Sequence, residues 1–157
     1  MVKVHPEWLS SQCINTPIDD MFWKNRYTSI NNFEKHLHDS GTKVIKFMLD
    51  VSQKEQHKRL IRRYETPSKQ WKFSVGDIKE SKLWSYYQNA FDDLLSNTSN
   101  KYNPWHVIPA DNKDLMRLIV TEIMIDELTK LKPNYPPKED ISEKDLILVD
   151  DLLDGKI

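Results

Sequence analysis

The hydrophobic positions along this chain come in short blocks, and their spacing switches between the period of a helix and that of a strand. Val2-Lys3-Val4 reads as the end of a strand, and residues 5–27 mix proline, aspartate and aromatics as a short helix or loop does. Ser29 then fits an N-cap, because Ile30, Phe33 and Leu37 come after it at helical spacing and Gly41 closes the run. Lys43 to Leu49 is short, rich in β-branched and aromatic residues, and bounded by Gly41 and Asp50; it predicts a buried strand. Ser52-Gln53-Lys54-Glu55 reads as a capping box opening a helix that runs to about Tyr64 and stops before Thr66-Pro67. Only Leu60, Ile61 and Tyr64 are apolar there, so this helix is expected to face solvent or something charged.

Residues 65–73 read as a linker, and Ser74-Val75-Gly76-Asp77 as a second capping signature. It opens one long helix reaching Asn97, with Trp84, Tyr87, Phe91, Leu94 and Leu95 on one face. Asn100 to Asn103 is turn-like, and Trp105-His106-Val107-Ile108-Pro109 predicts a second short buried strand. Asp111 stands where it would cap the next helix, in which Leu115, Leu118, Ile119, Glu122, Ile123 and Leu128 lie before Pro133 on a wide, mostly apolar face. From Pro133 onward the chain reads as a tail with a last helix over Asp145 to Leu153. The alternation of strands and helices predicts an α/β layered fold. Two strands do not make a stable sheet on their own, so the chain is expected to be incomplete or to pair with another element. No internal repeat is visible.

Charge changes this picture more than size does. The 157 residues suit one domain with a modest core, and the net charge of -1 argues against a wholly basic nucleic-acid binder. Yet Lys54, Lys58, Arg59, Arg62, Arg63, Lys69 and Lys72 are opposed between positions 54 and 72 only by Glu55 and Glu65, while the stretch from Glu139 to Asp154 is acidic. No apolar run approaches the roughly 20 residues of a membrane helix, and the N-terminus carries no secretory signal pattern. The single cysteine, Cys13, cannot close an internal disulfide and is expected as an unactivated thiol in a reducing, cytoplasmic setting. The three glycines, Gly41, Gly76 and Gly155, lie too far apart to build a phosphate-cradling glycine loop.

The candidate chemistry arises from that asymmetry. Arg59, Arg62 and Arg63 recur at spacings of three and four, and so share one side of a helix. With His57, Lys58, Lys69 and Lys72 nearby they suit a polyanion of repeated phosphates; a solvated charged face is the plainer alternative. Asp111-Asn112-Lys113 comes after a strand and opens a helix, a position that favours anions, although an ordinary N-cap needs nothing more. Asp50 reads as part of the turn into Ser52. The five histidines, His5, His36, His38, His57 and His106, show no zinc spacing. Trp71, Trp84 and Trp105 are expected as core or interdomain anchors.

Several ordered segments resemble the polyphosphate kinase 2 family. They are Gly41-Thr42-Lys43-Val44-Ile45-Lys46-Phe47-Met48-Leu49, then Ser52-Gln53-Lys54-Glu55-Gln56 and Lys58-Arg59. Pro67-Ser68-Lys69-Gln70-Trp71-Lys72-Phe73-Ser74 with Asp77, then Asn103-Pro104-Trp105 and Ile108-Pro109-Ala110-Asp111-Asn112-Lys113, continue the likeness. Val4-His5-Pro6-Glu7, Arg26-Tyr27 and Ser29-Ile30-Asn31-Asn32-Phe33-Glu34 extend it upstream, so that it runs from about Val4 to about Leu131.

The resemblance implies a P-loop kinase-like three-layer α/β/α sandwich with a mobile helical lid, over about 52–96 here. It implies transfer of a phosphoryl group between inorganic polyphosphate and a nucleoside mono- or diphosphate, with Mg2+. Arg59 and Arg63 match the family's basic lid positions as catalytic residues, and Lys58, Arg62 and Lys72 as polyphosphate-binding residues. Asp111, Asn112 and Lys113 match the loop on the nucleotide side. The family's phosphate-binding loop and Mg2+ ligands match nothing in this sequence, so the chain is expected to be a C-terminal portion, inactive by itself. The expected organisation is a catalytic-domain portion over 1–132 and an acidic tail over 133–157. Members are commonly homo-oligomers, and Tyr135-Pro136-Pro137 with its acidic sequel fits those accepting both mono- and diphosphates. Neither a nucleic acid nor a membrane is expected as partner. The competing reading is a non-catalytic module that holds polyanions with the same basic helix, or a piece that docks on an intact relative through a sheet edge.

Overall fold

The computed structural model describes residues 2–12, 14, 16–137 and 142–156. Cys13 and the first positions, 139–141, of the acidic stretch lie outside the described residues. A 3-10 helix, Pro6–Gln12, leads to α1 (Asp20–Asp39), β1 (Lys46–Asp50), α2 (Gln53–Glu65), a second 3-10 helix (Pro67–Lys72), α3 (Val75–Ser81), α4 (Trp84–Thr98), β2 (Trp105–Pro109), α5 (Lys113–Leu131) and α6 (Glu143–Leu153). The chain divides into two compact units, Met1–Glu122 and Ile123–Ile157. Among the described residues no helix is long and apolar enough to cross a membrane.

In the first unit β1 and β2 pair in parallel, with Lys46 opposite Trp105 and Asp50 opposite Pro109. Both strands form where the sequence predicts them, and the helical connection between them is the α/β crossover that parallel pairing demands. β1 starts at Lys46 rather than Lys43. Among the described residues the buried apolar side chains are few, Leu9, Ile108 and Ala110.

A polar cluster carries the rest of the interior. The Lys46 ammonium donates to Glu34 on α1 at 2.7 Å and to the Thr98 carbonyl at the end of α4 at 2.6 Å. It also lies 5.2 Å from the ring centre of Trp105. Trp105 Nε1 donates to Thr98 Oγ1 at 2.9 Å, and Asn103 Nδ2 donates to the Glu34 carbonyl at 3.3 Å. Thr98 and Asn103 are fully buried. One lysine thereby ties a strand to two helices.

Four sequence expectations are corrected. Val2-Lys3-Val4 is a turn and not a strand: Lys3 pairs with Asp93 of α4 and lies over the rings of Trp23 and Tyr27, which folds the segment back on the helices. α1 starts well before the Ser29 cap predicts, at Asp20, because the Asp19 side chain accepts from the Phe22 amide and is the better cap. Its end is as expected, with Gly41 in the left-handed region at φ 82°. The single helix expected from Ser74 to Asn97 is two: the amides of Lys82 and Leu83 bond back three residues to Lys79 and Glu80, tightening the last turn, and the Ser81 hydroxyl bonds the Ile78 carbonyl. The segment expected as a linker holds the second 3-10 helix, with Pro67 in its first turn.

The second unit holds the later turns of α5, from Ile123, and α6. α6 begins at Glu143, two residues before the expected start. The Ser142 hydroxyl accepts from the Asp145 amide while the Asp145 carboxylate accepts from the Ser142 amide, a full capping box.

Candidate functional site

Both strands end on the same side of the sheet, and each feeds a helix start. β1 leads through Ser52 into α2, and β2 leads through Ala110-Asp111-Asn112 into α5. Ligands of parallel sheets sit beyond these carboxyl ends.

Ser52 makes only half of the expected capping box. Its hydroxyl accepts from the Glu55 amide at 3.2 Å, but its own amide donates to the Asp111 carboxylate at 2.7 Å. Glu55 is turned away and accepts from Arg59 Nε at 2.8 Å. Asp111 therefore does not cap α5. That task falls to Asn112, whose side-chain oxygen accepts from the amides of Asp114 and Leu115 at 3.0 and 3.1 Å. Asp111 joins the two strand ends instead. Its hydrogen bonds from Ser52 hold the carboxyl below the usual carboxylate range, with Arg59 adding to the effect.

Arg59 closes the same junction. Its Nη2 donates to the Ala110 carbonyl at 2.6 Å and to the Asp111 carbonyl at 3.2 Å. The guanidinium is thus committed to protein oxygens on three sides. Arg63 points elsewhere, with Nη1 donating to Asp77 of α3 at 3.1 Å in an exposed pair. Lys58 lies 3.8 Å from Glu55 and is 79% exposed, a contact too open to fix it. Lys72 sits over the Trp71 ring, 4.7 Å from its centre. The three arginines of α2 therefore diverge.

Arg62 and Lys113 act on each other through their charges. The charge of Arg62, first, and then partial desolvation, Arg59, Arg117 and Lys69 hold the Lys113 ammonium below its ordinary value. The charges of four cations from α2, the second 3-10 helix and α5 thus act on a fifth at a helix start, where the backbone amides add positive potential. Arg117 bonds Asp114 at 3.0 Å and remains largely exposed. The sequence pattern marks Lys69 only as a neighbour of the basic helix and does not single out Arg117. The one signal for Arg117 is its position four residues after Lys113, on the same face of α5. Such a cluster suits an extended anion with several phosphates. Among the described residues no three carboxylate, histidine or cysteine side chains group into a metal site.

The comparisons with known proteins point to one family. The model of the family described as Polyphosphate kinase 2 matches residues 12–136. An ADP-polyphosphate phosphotransferase of Rhodopseudomonas palustris is 40% identical over 149 residues, 94% of this chain and 52% of that protein. An AMP/ADP-polyphosphate phosphotransferase of Meiothermus ruber is 39% identical over 130 residues, 83% of this chain and 49% of that one. The crystal structure of Polyphosphate Kinase 2 from Arthrobacter aurescens TC1 superposes with a TM-score of 0.79 at 36% identity, covering 95% of this chain and 49% of that chain. The chain spans about half the length of these relatives. With the α/β fold, the parallel strand pair and the ordered match all in agreement, this chain belongs to the polyphosphate kinase 2 family.

Proposed function

We propose that the chain supplies the polyphosphate-gripping side of a phosphotransferase that moves a phosphoryl group between inorganic polyphosphate and a nucleoside mono- or diphosphate. The observation that carries this reading is the basic run from Lys54 to Lys72 on α2 and the second 3-10 helix, whose Arg62, Arg59 and Lys69, with Arg117, act through their charge on Lys113 at the start of α5. Charges of one sign are held together at a cost, and a bound phosphate chain relieves it. The names of the relatives, which describe phosphotransferases acting on polyphosphate with ADP or AMP, support the substrate class.

In this reading Arg62, Lys69, Lys113 and Arg117 bind successive phosphates. Arg59, held by three protein oxygens, positions the two strand ends through Asp111. Arg63 is the better candidate to carry charge in the transition state, since its single exposed pair with Asp77 holds it by about 0–1 kcal/mol and exchanges readily for phosphate. Lys58 and Lys72 extend the path along α2 and the 3-10 helix. α2 to α4, over about 52–96, act as the lid, a role supported by the lack of any buried residue on α2. Mg2+ would supply charge neutralisation between the transferred phosphates.

The test separates binding from turnover. The 157-residue chain is expected to bind polyphosphate in a salt-dependent way, and to show no transfer to ADP or AMP with Mg2+. Turnover by the chain alone refutes the division of labour, and failure to bind refutes the site.

A further inference from the structure

α2 carries no buried residue, yet it is not polar all round. Leu60, Ile61 and Tyr64 recur at spacings of three and four, and so share one side. That side opens on a groove of about 660 Å³ towards α3, where Phe73 and Ile78 complete an apolar floor. The rings of Tyr64 and Phe73 pack at 5.3 Å. The polar lining is His57, Ser81 and Lys82, and none of it is acidic. His57 and Ile61 also border a neighbouring groove, whose other walls are Lys54, Lys58, Arg62 and Glu65. Ile61 and Tyr64 are each more than half exposed. The α2–α3 groove is thus apolar within and basic at its margin.

α6 offers the opposite kind of surface. Leu146, Val149 and Leu153 stand at i, i+3 and i+7, on one face of the helix, and each is at least 40% exposed. At 3.6 residues per turn Asp150 and Asp154 flank that face and Asp151 lies behind it. The stretch from Glu139 to Asp154 holds a single cation, Lys144. Lys156 meets Asp151 at 3.5 Å and Asp154 at 2.8 Å, but in exposed pairs that bind weakly. A helix of 11 residues is too short to persist in water without packing against something.

We propose that the α2–α3 groove seats the apolar face of α6 from a second copy of this chain. Charge selects the occupant. A helix with anchors at i, i+3 and i+7 fits an apolar groove, and the margin of Lys54, Lys58, Arg62 and Lys82 calls for one with acidic flanks. α6 meets both demands. Each copy then gives a helix and receives one, so two copies close a pair through two equal contacts. This inference does not depend on the phosphate reading; polyphosphate binding can fail while the pair forms.

The experiment follows the mass of the 157-residue chain in solution by sedimentation, over a wide range of concentration and salt. The expected result is a monomer–dimer equilibrium that weakens as salt rises. Ile61→Asp in the groove, or Leu153→Asp on α6, weakens the dimer by at least about tenfold, while the chain's own melting transition persists. Mixing these two variants recovers a dimer. The Leu153→Asp chain keeps an intact groove and the Ile61→Asp chain an intact α6, so one good contact forms between them. Phe33→Asp, at an exposed apolar residue of α1, leaves the dimer as it is. The inference is overturned by a monomer at every concentration, by a dimer that survives both variants, or by a dimer indifferent to salt. It is also overturned by a dimer lost with Ile61→Asp but not with Leu153→Asp, which names another occupant for the groove, or by no recovery on mixing.

Discussion

Lys46 and Lys113 stand at opposite ends of the sheet region and in opposite electrostatic conditions. Lys46 is 9% exposed and answered by a carboxylate, a carbonyl and an aromatic face. Lys113 is exposed, and the charges that act on it are those of other cations. A buried charge must be paired to be tolerated at all, so the Lys46 cluster speaks of architecture. The like charges that act on Lys113 at a helix start have no such pairing, and on them rests the proposal of an anion brought from outside.

The largest expected effect comes from breaking the paired side. Lys46→Met leaves the Glu34 carboxylate buried and alone, and is expected to cost about 3–5 kcal/mol, read as a fall in denaturation midpoint. Adding Glu34→Leu should recover part of that loss, since the orphaned charge goes with it. If the single variant is as stable as the parent, the contrast fails on its structural side.

Next come the clustered cations. Arg62→Ala with Lys113→Ala should weaken polyphosphate binding by roughly tenfold to a hundredfold, while thermal stability stays level or rises because repulsion is relieved. The same repulsion predicts a pH trend. The folded pKa of Lys113 is depressed below its unfolded value near 10.5, so the unfolded chain holds the proton to higher pH and stability rises with pH between the two values. Lys113→Gln should flatten that rise.

Asp111 gives a smaller effect of opposite origin. Its folded pKa is depressed below 3.8 by Ser52. The stability it contributes is fully present above that value and is lost as pH falls through the folded one. Asp111→Asn should remove this acid-side slope in melts between about pH 2 and 5.

The smallest effect concerns His5. Both its ring nitrogens face carboxylates, Glu7 at 3.1 Å and Glu80 at 2.8 Å, and the Glu80 bond above all raises its pKa. Its contribution is complete below pH 6.5 and fades as pH rises through the raised value, a trend that His5→Gln should erase.

Local signals in the sequence located both strands, the starts of α2 and α6 within two residues, and the Gly41 stop. They failed where the competition is between alternatives of similar local quality. Asp19 outcompeted Ser29 as a cap, and the Ser74 helix broke at Lys82-Leu83 although its apolar spacing is unbroken. At the site, the charge cluster was visible in composition, but its partition was not. Which arginine meets Asp77, which meets the β2 loop, and which meets Lys113 depends on pairings 14 to 52 residues apart. Asp111 was singled out for the right junction and the wrong bond. Arg117 was not singled out, because its one local signal is the four-residue spacing from Lys113 on α5.

The most direct measurement is polyphosphate affinity of the 157-residue chain as a function of salt, for the parent and for Arg62→Ala/Lys113→Ala. The account predicts binding that weakens steeply as salt rises, with a shallower slope in the double variant by about two released counterions. Equal slopes for the two proteins, or binding that ignores salt, would contradict it.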